Sequence, residues 1–347
     1  MEPIERRTLG ATDAVVTKLG FGSAGIGDLN EILEEDQVQQ ILQAAWDGGI
    51  RYFDTSPFYG HGKSEHRVGH FLRQQPRSEF MLSTKVGRIF RAASPSGGSA
   101  RQNRSDPASF VGALPFDFYY DYSYDGIMRS YEDSLQRLGL PSIDLLLIHD
   151  LDFWFHKTEP LVTAYLTQLA TSGWRALEEL RSSGAIKGVG AGINQTGMIP
   201  RFLDLVDLDF FLVALTYNLL DQGSLAEEFP RCTEAGVGIV GGAIFASGIL
   251  ASGPVAGAYY NYAPASPEIL EKTRRIEAVC QRHNTPLAAA AMQFPLAHPL
   301  VTAIIPGAIR PAHVESNLQL LHHPIPAQLW AELKDEGLLP PHAPTPS

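Results

Sequence analysis

Four residues in the first half of the chain have types and settings that could move a proton: Asp54, Tyr59, Lys85 and His149. Asp54 ends a short apolar run, Ile50-Arg51-Tyr52-Phe53. Tyr59 follows within a turn that carries Pro57, Gly60 and Gly62. Lys85 ends the run Leu82-Ser83-Thr84, and His149 ends Leu145-Leu146-Leu147-Ile148. A free phenol titrates near pH ~10, too high to trade protons easily at neutrality. A nearby ammonium favours the phenolate and lowers that value. A carboxylate can hold the lysine in place and charged, and a histidine can hydrogen-bond a substrate oxygen. Together these groups suit proton transfer at an oxygen whose carbon exchanges hydride with a cofactor. Each alone has an ordinary reading. Asp-Thr-Ser caps helices, a Tyr behind a Pro-Phe pair packs, a strand-end Lys is solvated, and a His ending an apolar strand sits in the core. The coincidence of four strand-end groups points to chemistry.

The elements that must position them alternate regularly. Residues 5–15 read as a small hairpin with its turn at 9–13, and residues 15–22 as the first barrel strand, opening into a Gly-rich loop at 22–27. Val38, Ile41, Leu42 and Ala45 share one helical face, and Gly48-Gly49 ends that helix. Strands are expected at 50–54, 79–85, 143–149, 186–190, 210–216, 237–241 and 301–305. Helices are expected near 64–74, 161–183, 197–206, 224–235 and 311–321, two helical segments near 267–298, and a further helix carrying Ile127, Tyr131, Leu135 and Leu138. Residues 87–117 have no periodicity, contain Ser94-Pro95-Ser96-Gly97-Gly98-Ser99, and read as a lid or a disordered loop; the aromatic residues Phe116, Phe118, Tyr119, Tyr120, Tyr122 and Tyr124 close it. Eight strands alternating with helices over residues 15–321 imply an α/β fold with a parallel sheet, closed as a (β/α)8 TIM barrel. One domain spans 1–347, with an N-terminal hairpin, long active-site loops, and a Pro-rich surface tail at 338–347 within the segment 322–347.

Gly20-Phe21-Gly22-Ser23-Ala24-Gly25 matches G-x-G-x-x-G, but the helical period begins only near Glu35. A dinucleotide fingerprint would open the helix directly. The match reads as a flexible barrel loop. The formal net charge of −11 argues against a nucleic-acid partner. Two cysteines, Cys232 and Cys280, stand in no metal spacing, so neither a metal site nor a disulfide framework is expected. No apolar run reaches the roughly 20 residues that span a bilayer, and the expectation is a soluble cytoplasmic protein with no membrane partner.

The stretch Asp54-Thr55-Ser56-Pro57-Phe58-Tyr59-Gly60, with Lys85 and His149, resembles the Asp-Tyr-Lys-His tetrad of the aldo-keto reductase superfamily. Residues 190–194, Tyr217-Asn218-Leu219-Leu220 and Pro306-Gly307-Ala308 are similar to further family segments. Three stretches, 121–126, 129–135 and 149–152, resemble the bacterial aldose 1-dehydrogenase branch, which includes L-fucose (D-threo-aldose) dehydrogenase and pyridoxal 4-dehydrogenase. The resemblance implies an NAD(P)-dependent oxidoreductase that oxidises an aldose at C1 to the lactone. It makes Tyr59 the general acid/base, tuned by Lys85, with Asp54 pairing the lysine and His149 orienting the substrate oxygen. Pyridoxal oxidation and general aldehyde or ketone reduction stay open as alternatives. So does a non-enzymatic role like that of cofactor-sensing channel subunits.

The resemblance also implies a cofactor grip. Small residues in 238–250 would let backbone amides approach a pyrophosphate, with Phe245, Ala246, Ser247, Gly248 and Leu250 in the loop. Gly22, Pro306, Gly307, Ala308, His313 and Asn317 would line the rest, and Asn194 would meet the carboxamide. NADP-preferring relatives carry Pro-Lys-Ser and a later Arg that hold the 2′-phosphate. Here Gly307, Ala308 and His313 occupy those places, and Arg310 compensates only in part, which favours NAD. Ala214 and Gly242 replace the family's usual Gln and nicotinamide-stacking Tyr. The expected substrate contacts are Phe153, Trp154 and Tyr260.

Overall fold

The computed structural model describes residues 3–93 and 110–346. Its strands are β1 (Arg6–Thr8), β2 (Val15–Thr17), β3 (Phe21–Gly22), β4 (Tyr52–Asp54), β5 (Met81–Val86), β6 (Arg88–Ala92), β7 (Phe116–Tyr120), β8 (Leu145–His149), β9 (Gly188–Ile193), β10 (Phe210–Ala214), β11 (Gly238–Gly242), β12 (Tyr259–Tyr260), β13 (Ala263–Pro264) and β14 (Val301–Ile304). Its helices are α1 (Glu35–Asp47), α2 (Lys63–Leu72), α3 (Tyr124–Leu138), α4 (Phe153–His156), α5 (Glu159–Gln168), α6 (Trp174–Ser182), α7 (Met198–Leu203), α8 (Glu228–Ala235), α9 (Ile249–Ser252), α10 (Pro267–Arg282), α11 (Leu287–Leu296), α12 (Pro311–Leu321) and α13 (Ala327–Asp335).

Among the described residues, eight strands pair in the order β3-β4-β5-β8-β9-β10-β11-β14. Every pairing within that sheet is parallel. Parallel bridges Leu19–Ile304 and Gly22–Gly307 join its two ends. Gly20 N donates to Ile304 O at 2.8 Å and Ile304 N to Lys18 O at 2.9 Å, which closes the barrel.

Strand parity divides the apolar side chains into two cores. Leu145, Leu147, Phe210, Leu212, Val240, Ala303 and Tyr52 fill the barrel interior. Leu146, Ile148, Val189, Phe211 and Ile239 point outward under the helices. The hairpin β1–β2 plugs the N-terminal end, with Leu9, Ala14 and Val16 buried in the interior core.

Four expectations change. The first barrel strand is shorter than residues 15–22. Val15–Thr17 pairs backwards with β1 so that Val16 can plug the floor, and only Phe21–Gly22 pairs with β4. The irregular stretch 87–117 contains a hairpin, β6 with β7, although the run 94–99 lies outside the described residues. The segment 161–183 is two helices, α5 and α6, joined by a π turn at Leu169–Gly173. The segment 322–347 is not a surface tail. It forms α13, and Leu329, Trp330, Leu333, Leu338, Leu339 and Ala343 are buried in the outer core. The apolar spacing 329, 330, 333 is helical, and the prolines lie outside that run.

Trp330 is 2% exposed and its ring centroid lies 6.4 Å from that of Phe294 on α11. Trp330→Ala should destabilise the fold by about 3–5 kcal/mol, the usual cost of truncating a large buried aromatic. Urea denaturation checks this. A change under about 0.5 kcal/mol, the range of surface substitutions, would return the segment to the status of a tail.

Candidate active site

Parity also builds the site. Tyr52 and Leu147 face the interior, so Asp54 and His149, two residues further along their strands, face it too, at the C-terminal mouth. Lys85 Nζ bonds Asp54 Oδ2 at 2.7 Å and Thr55 O at 2.8 Å. Ser83, one inward position below Lys85, donates to Asp54 Oδ1 at 2.7 Å. Asp54 and Lys85 are 1% and 2% exposed, so the ion pair is fully desolvated and each charge depends on the other.

Tyr59 is half-buried at the mouth. Its ring lies 4.6 Å from Lys85 Nζ and 6.0 Å, edge to face, from the His149 ring. The turn is set by Tyr59 N bonding Ser56 O at 3.1 Å and by a left-handed Gly60 (φ 64°). A Cβ at Gly60 would stand 2.4 Å from Gly27 O, so the loop after β3 packs directly on the backbone beside Tyr59. The Gly-rich segment 20–27 is therefore not a flexible loop. Ile26 and Gly27 are buried, and Asp28 bonds Lys63 at 2.8 Å and Arg67 at 2.6 Å on α2.

The electrostatics of Tyr59 differ from the expectation of a lowered phenol. Burial pushes it well above its ordinary value, and the carboxylates of Asp54 and Asp150 push further, while Arg88 opposes them. Lys85 spends its donors on Asp54 and Thr55 O rather than on the phenol. Tyr59 is held protonated by the protein's own groups.

His149 is held neutral, first by burial and then by the cations Arg88 and Lys85. Its Nδ1 is 2.8 Å from Arg88 Nη1 and 3.0 Å from Ser56 Oγ, and its Nε2 is 3.1 Å from Asp150 Oδ2. Arg88 also pairs with Asp150 Oδ2 at 2.7 Å. The chain continues through Asn194, whose Nδ2 donates to Asp150 Oδ1 at 2.8 Å and Asp152 Oδ2 at 3.0 Å. Burial, and then the neighbouring Asp150, pushes Asp152 up to about 6. Asn194, expected at the carboxamide, thus has its amide donors engaged by two carboxylates.

Residue types and spacing do not mark Arg88, Asp150, Ser56 and Asp152; the fold gathers them around His149 and Asn194. A signal for Arg88 exists: Gly87 directly after the Lys85 strand, left-handed at φ 104°, where a Cβ would strike the Tyr122 ring at 2.2 Å. It turns the chain so that the next side chain enters the mouth again.

The aromatic walls are displaced from their expected positions. Phe153 lies under the Arg201 guanidinium, 5.1 Å from its ring centre, whereas Phe155 meets Phe58 at 6.1 Å and Arg88 at 4.6 Å. Trp154 is half-buried between them on α4. Tyr260 has Asp221 beside it, while the phenol of Tyr262 is raised by burial and then by its neighbours Tyr59 and Asp150. Tyr262 therefore lies beside Tyr59 and Asp150, and Tyr260 beside Asp221. Two consecutive left-handed residues, Asn261 (φ 49°) and Tyr262 (φ 61°), redirect the chain there, which strand alternation does not foretell.

Of the expected cofactor residues, Gly22 bridges Gly307 at the barrel seam. Pro306 O accepts from Gly22 N at 3.2 Å, and Ala308, Ala246 and Leu250 are buried. The loop after β11 has left-handed residues at Ala243, Ala246, Ser247 and Gly248, with Phe245 among them. Ser247 Oγ accepts from Tyr262 N at 2.9 Å. On α12, His313 is exposed and Asn317 is buried. Arg310 is engaged by Glu31 from the loop after β3, and that contact holds the Glu31 carboxyl below its usual range.

The match to the model of the Aldo/keto reductase family runs over residues 18–336. The chain belongs to this family. It is an oxidoreductase acting on CH–OH groups. It is 41% identical over 339 residues to pyridoxal 4-dehydrogenase of Microbacterium luteolum, covering 96% of this chain and 98% of that protein. It is 38% identical over 333 residues to D-threo-aldose 1-dehydrogenase of a Pseudomonas species, covering 95% and 97%. In structure it matches the holo form of the aldo-keto reductase AKR11C1 from Bacillus halodurans, with a TM-score of 0.72, 25% identity, and 96% of each chain covered. The glycerol dehydrogenase AKR11B4 of Gluconobacter oxydans shares the fold, with a TM-score of 0.73 at 20% identity over 99% of this chain and 97% of that one. Among the described residues, no helix of this reductase is long and apolar enough to cross a membrane.

Proposed function

We propose that this reductase oxidises an aldose of the L-fucose or D-threo type at C1 to the lactone. Asp54, Lys85, Tyr59 and His149 gathered at one barrel mouth carry the reading. His149, neutral, offers a donor to the substrate oxygen. Tyr59 exchanges the proton at its phenolic oxygen, and Asp54 holds Lys85 under the Tyr59 ring. When bound, a nicotinamide dinucleotide supplies the hydride acceptor.

The donor set fits such a cofactor. The loop after β11 has no acidic side chain between Gly238 and Ser252, and Ala243, Ala246, Ser247 and Gly248 take left-handed backbone, a conformation that suits anion binding by main-chain amides. The first turn of α12 carries no carboxylate either, which suits an anion at a helix N-terminus. Pyridoxal is the second reading. The 41% relative supports it, as does the aromatic chain in which Phe110 meets Tyr59 and Phe58, and Phe58 meets Phe155, which suits a flat ring.

Initial rates with NAD and with NADP, on L-fucose, D-arabinose, L-galactose and pyridoxal, test both readings. Sugar oxidation linked to NAD supports the first, and turnover of pyridoxal alone supports the second. Reduction of simple aldehydes by NADPH, with silence on all four, overturns both. NAD should be preferred, because Arg310 is neutralised by Glu31 and no other cation among Gly307, Ala308 and His313 replaces the lysine of NADP-preferring relatives. Glu31→Gln should free Arg310 for a 2′-phosphate and tighten NADP roughly tenfold, the worth of one charge-assisted contact. Fluorescence titration of both cofactors reads this; unchanged NADP affinity would remove Glu31 from the argument.

A further inference from the structure

Arg88 stands directly behind His149, on a strand that does not belong to the barrel sheet. It is 2% exposed, and its Nε has no hydrogen-bond partner. Aromatic faces surround the guanidinium: Phe58 at 4.0 Å, Phe155 at 4.6 Å, Tyr120 at 5.1 Å and Phe118 at 5.6 Å from ring centre to Cζ. The cage holds its plane by cation–π attraction, and Asp150 balances its charge at 2.7 Å. Burying a cation this completely is costly, which argues that it acts on its neighbours.

Nη1 lies 2.8 Å from His149 Nδ1. A guanidinium can only donate and does not deprotonate in proteins. Nδ1 must therefore accept, and a neutral imidazole that accepts at Nδ1 carries its proton on Nε2. We propose that Arg88 is a positioning residue that locks His149 as the neutral Nε2–H tautomer, which puts its donor on Nε2, 3.1 Å from Asp150 Oδ2, the same oxygen that holds Arg88 in place at 2.7 Å. Ser56 adds its hydroxyl toward Nδ1 at 3.0 Å, and Tyr122 OH holds the His149 backbone carbonyl at 2.8 Å. The inference rests on the proposed role of His149, but the tautomer itself is a property of the free protein.

The charged and titratable groups around His149 come from every wall. Lys85 comes from β5, Arg88 from β6, Asp54 and Tyr59 from β4 and the turn after it, and Asp150 from the end of β8. Tyr122 packs from before α3, and Tyr262, next to Tyr59 and Asp150, from the loop after β11. Burial first, and then both cations, keeps His149 neutral well below its ordinary value of 6.5. Removing Arg88 should let it protonate nearer that value.

The test is nitrogen NMR of histidine-labelled protein from about pH 5 to about 8, the span over which an unperturbed histidine changes charge. His149 is assigned by its loss in His149→Gln. In the wild type, His149 should show a pyridine-type Nδ1 and a pyrrole-type Nε2 that do not titrate. A pyrrole-type Nδ1 in the wild type would overturn the proposal whatever any variant does, and whatever the substrate proves to be. Arg88→Met should make His149 titrate and mix tautomers. It should also lower kcat by about 10²-fold, as misplacing an acid–base partner does, and add an acid limb to the kcat/KM profile. Arg88→Lys, which keeps a donor, should recover part of the loss. A folded Arg88→Met with wild-type histidine shifts and an unchanged pH profile would also overturn it.

Discussion

Tyr59→Phe should lower kcat by ~10²–10⁴-fold, the contribution of one positioned acid or base, while the affinity for NAD changes less than about twofold. The phenol lies at the barrel mouth between Lys85 and His149. Phe preserves the ring and its contact with Phe110 at 5.9 Å, so lost turnover reports lost chemistry and not lost packing. Because burial, Asp54 and Asp150 hold the phenol protonated, the wild type should oxidise faster as pH rises toward the phenol's range, and reduce faster as pH falls. Steady-state rates in both directions across pH, with cofactor binding followed by fluorescence, check this. A variant with wild-type kcat would remove Tyr59 from the mechanism.

Lys85→Met should cost activity on a similar scale and, in addition, about 3–5 kcal/mol of stability. The two effects share one cause. Asp54 is 1% exposed, and its two oxygens are bonded by Lys85 at 2.7 Å and Ser83 at 2.7 Å. Taking away the ammonium leaves a buried carboxylate with only a hydroxyl donor. The double variant Asp54→Asn, Lys85→Met should therefore be more stable than Lys85→Met alone, while staying inactive. Urea denaturation of the three proteins separates the contributions. A double variant no more stable than the single one would show that Asp54 and Lys85 are not coupled.

The loops at the mouth are held by contacts between residues far apart in the chain. The loops after β3 and β14 meet through Glu31 and Arg310, and the loop after β11 is folded back on itself by Tyr262 N donating to Ser247 Oγ. Neither contact is visible in local sequence, because the partners lie 279 and 15 positions apart.

The sequence by itself determined the alternation of elements, the closed barrel they imply, and the four strand-end groups at its mouth. Parity explains why: once Tyr52 and Leu147 face the interior, Asp54 and His149 must follow two residues later. It did not determine which way Val15–Thr17 pairs, because an apolar triplet suits a floor hairpin and a barrel strand equally. Nor did it determine that Leu329, Trp330 and Leu333 cover α10 and α11, because late prolines disguised a helical spacing. Tertiary structure alone decided that Arg88 stands behind His149, that Phe155 meets Phe58 and Arg88, and that Tyr262 lies beside Tyr59. The placements of Arg88 and Tyr262 turn on left-handed backbone at Gly87, Asn261 and Tyr262, where side-chain alternation stops governing direction.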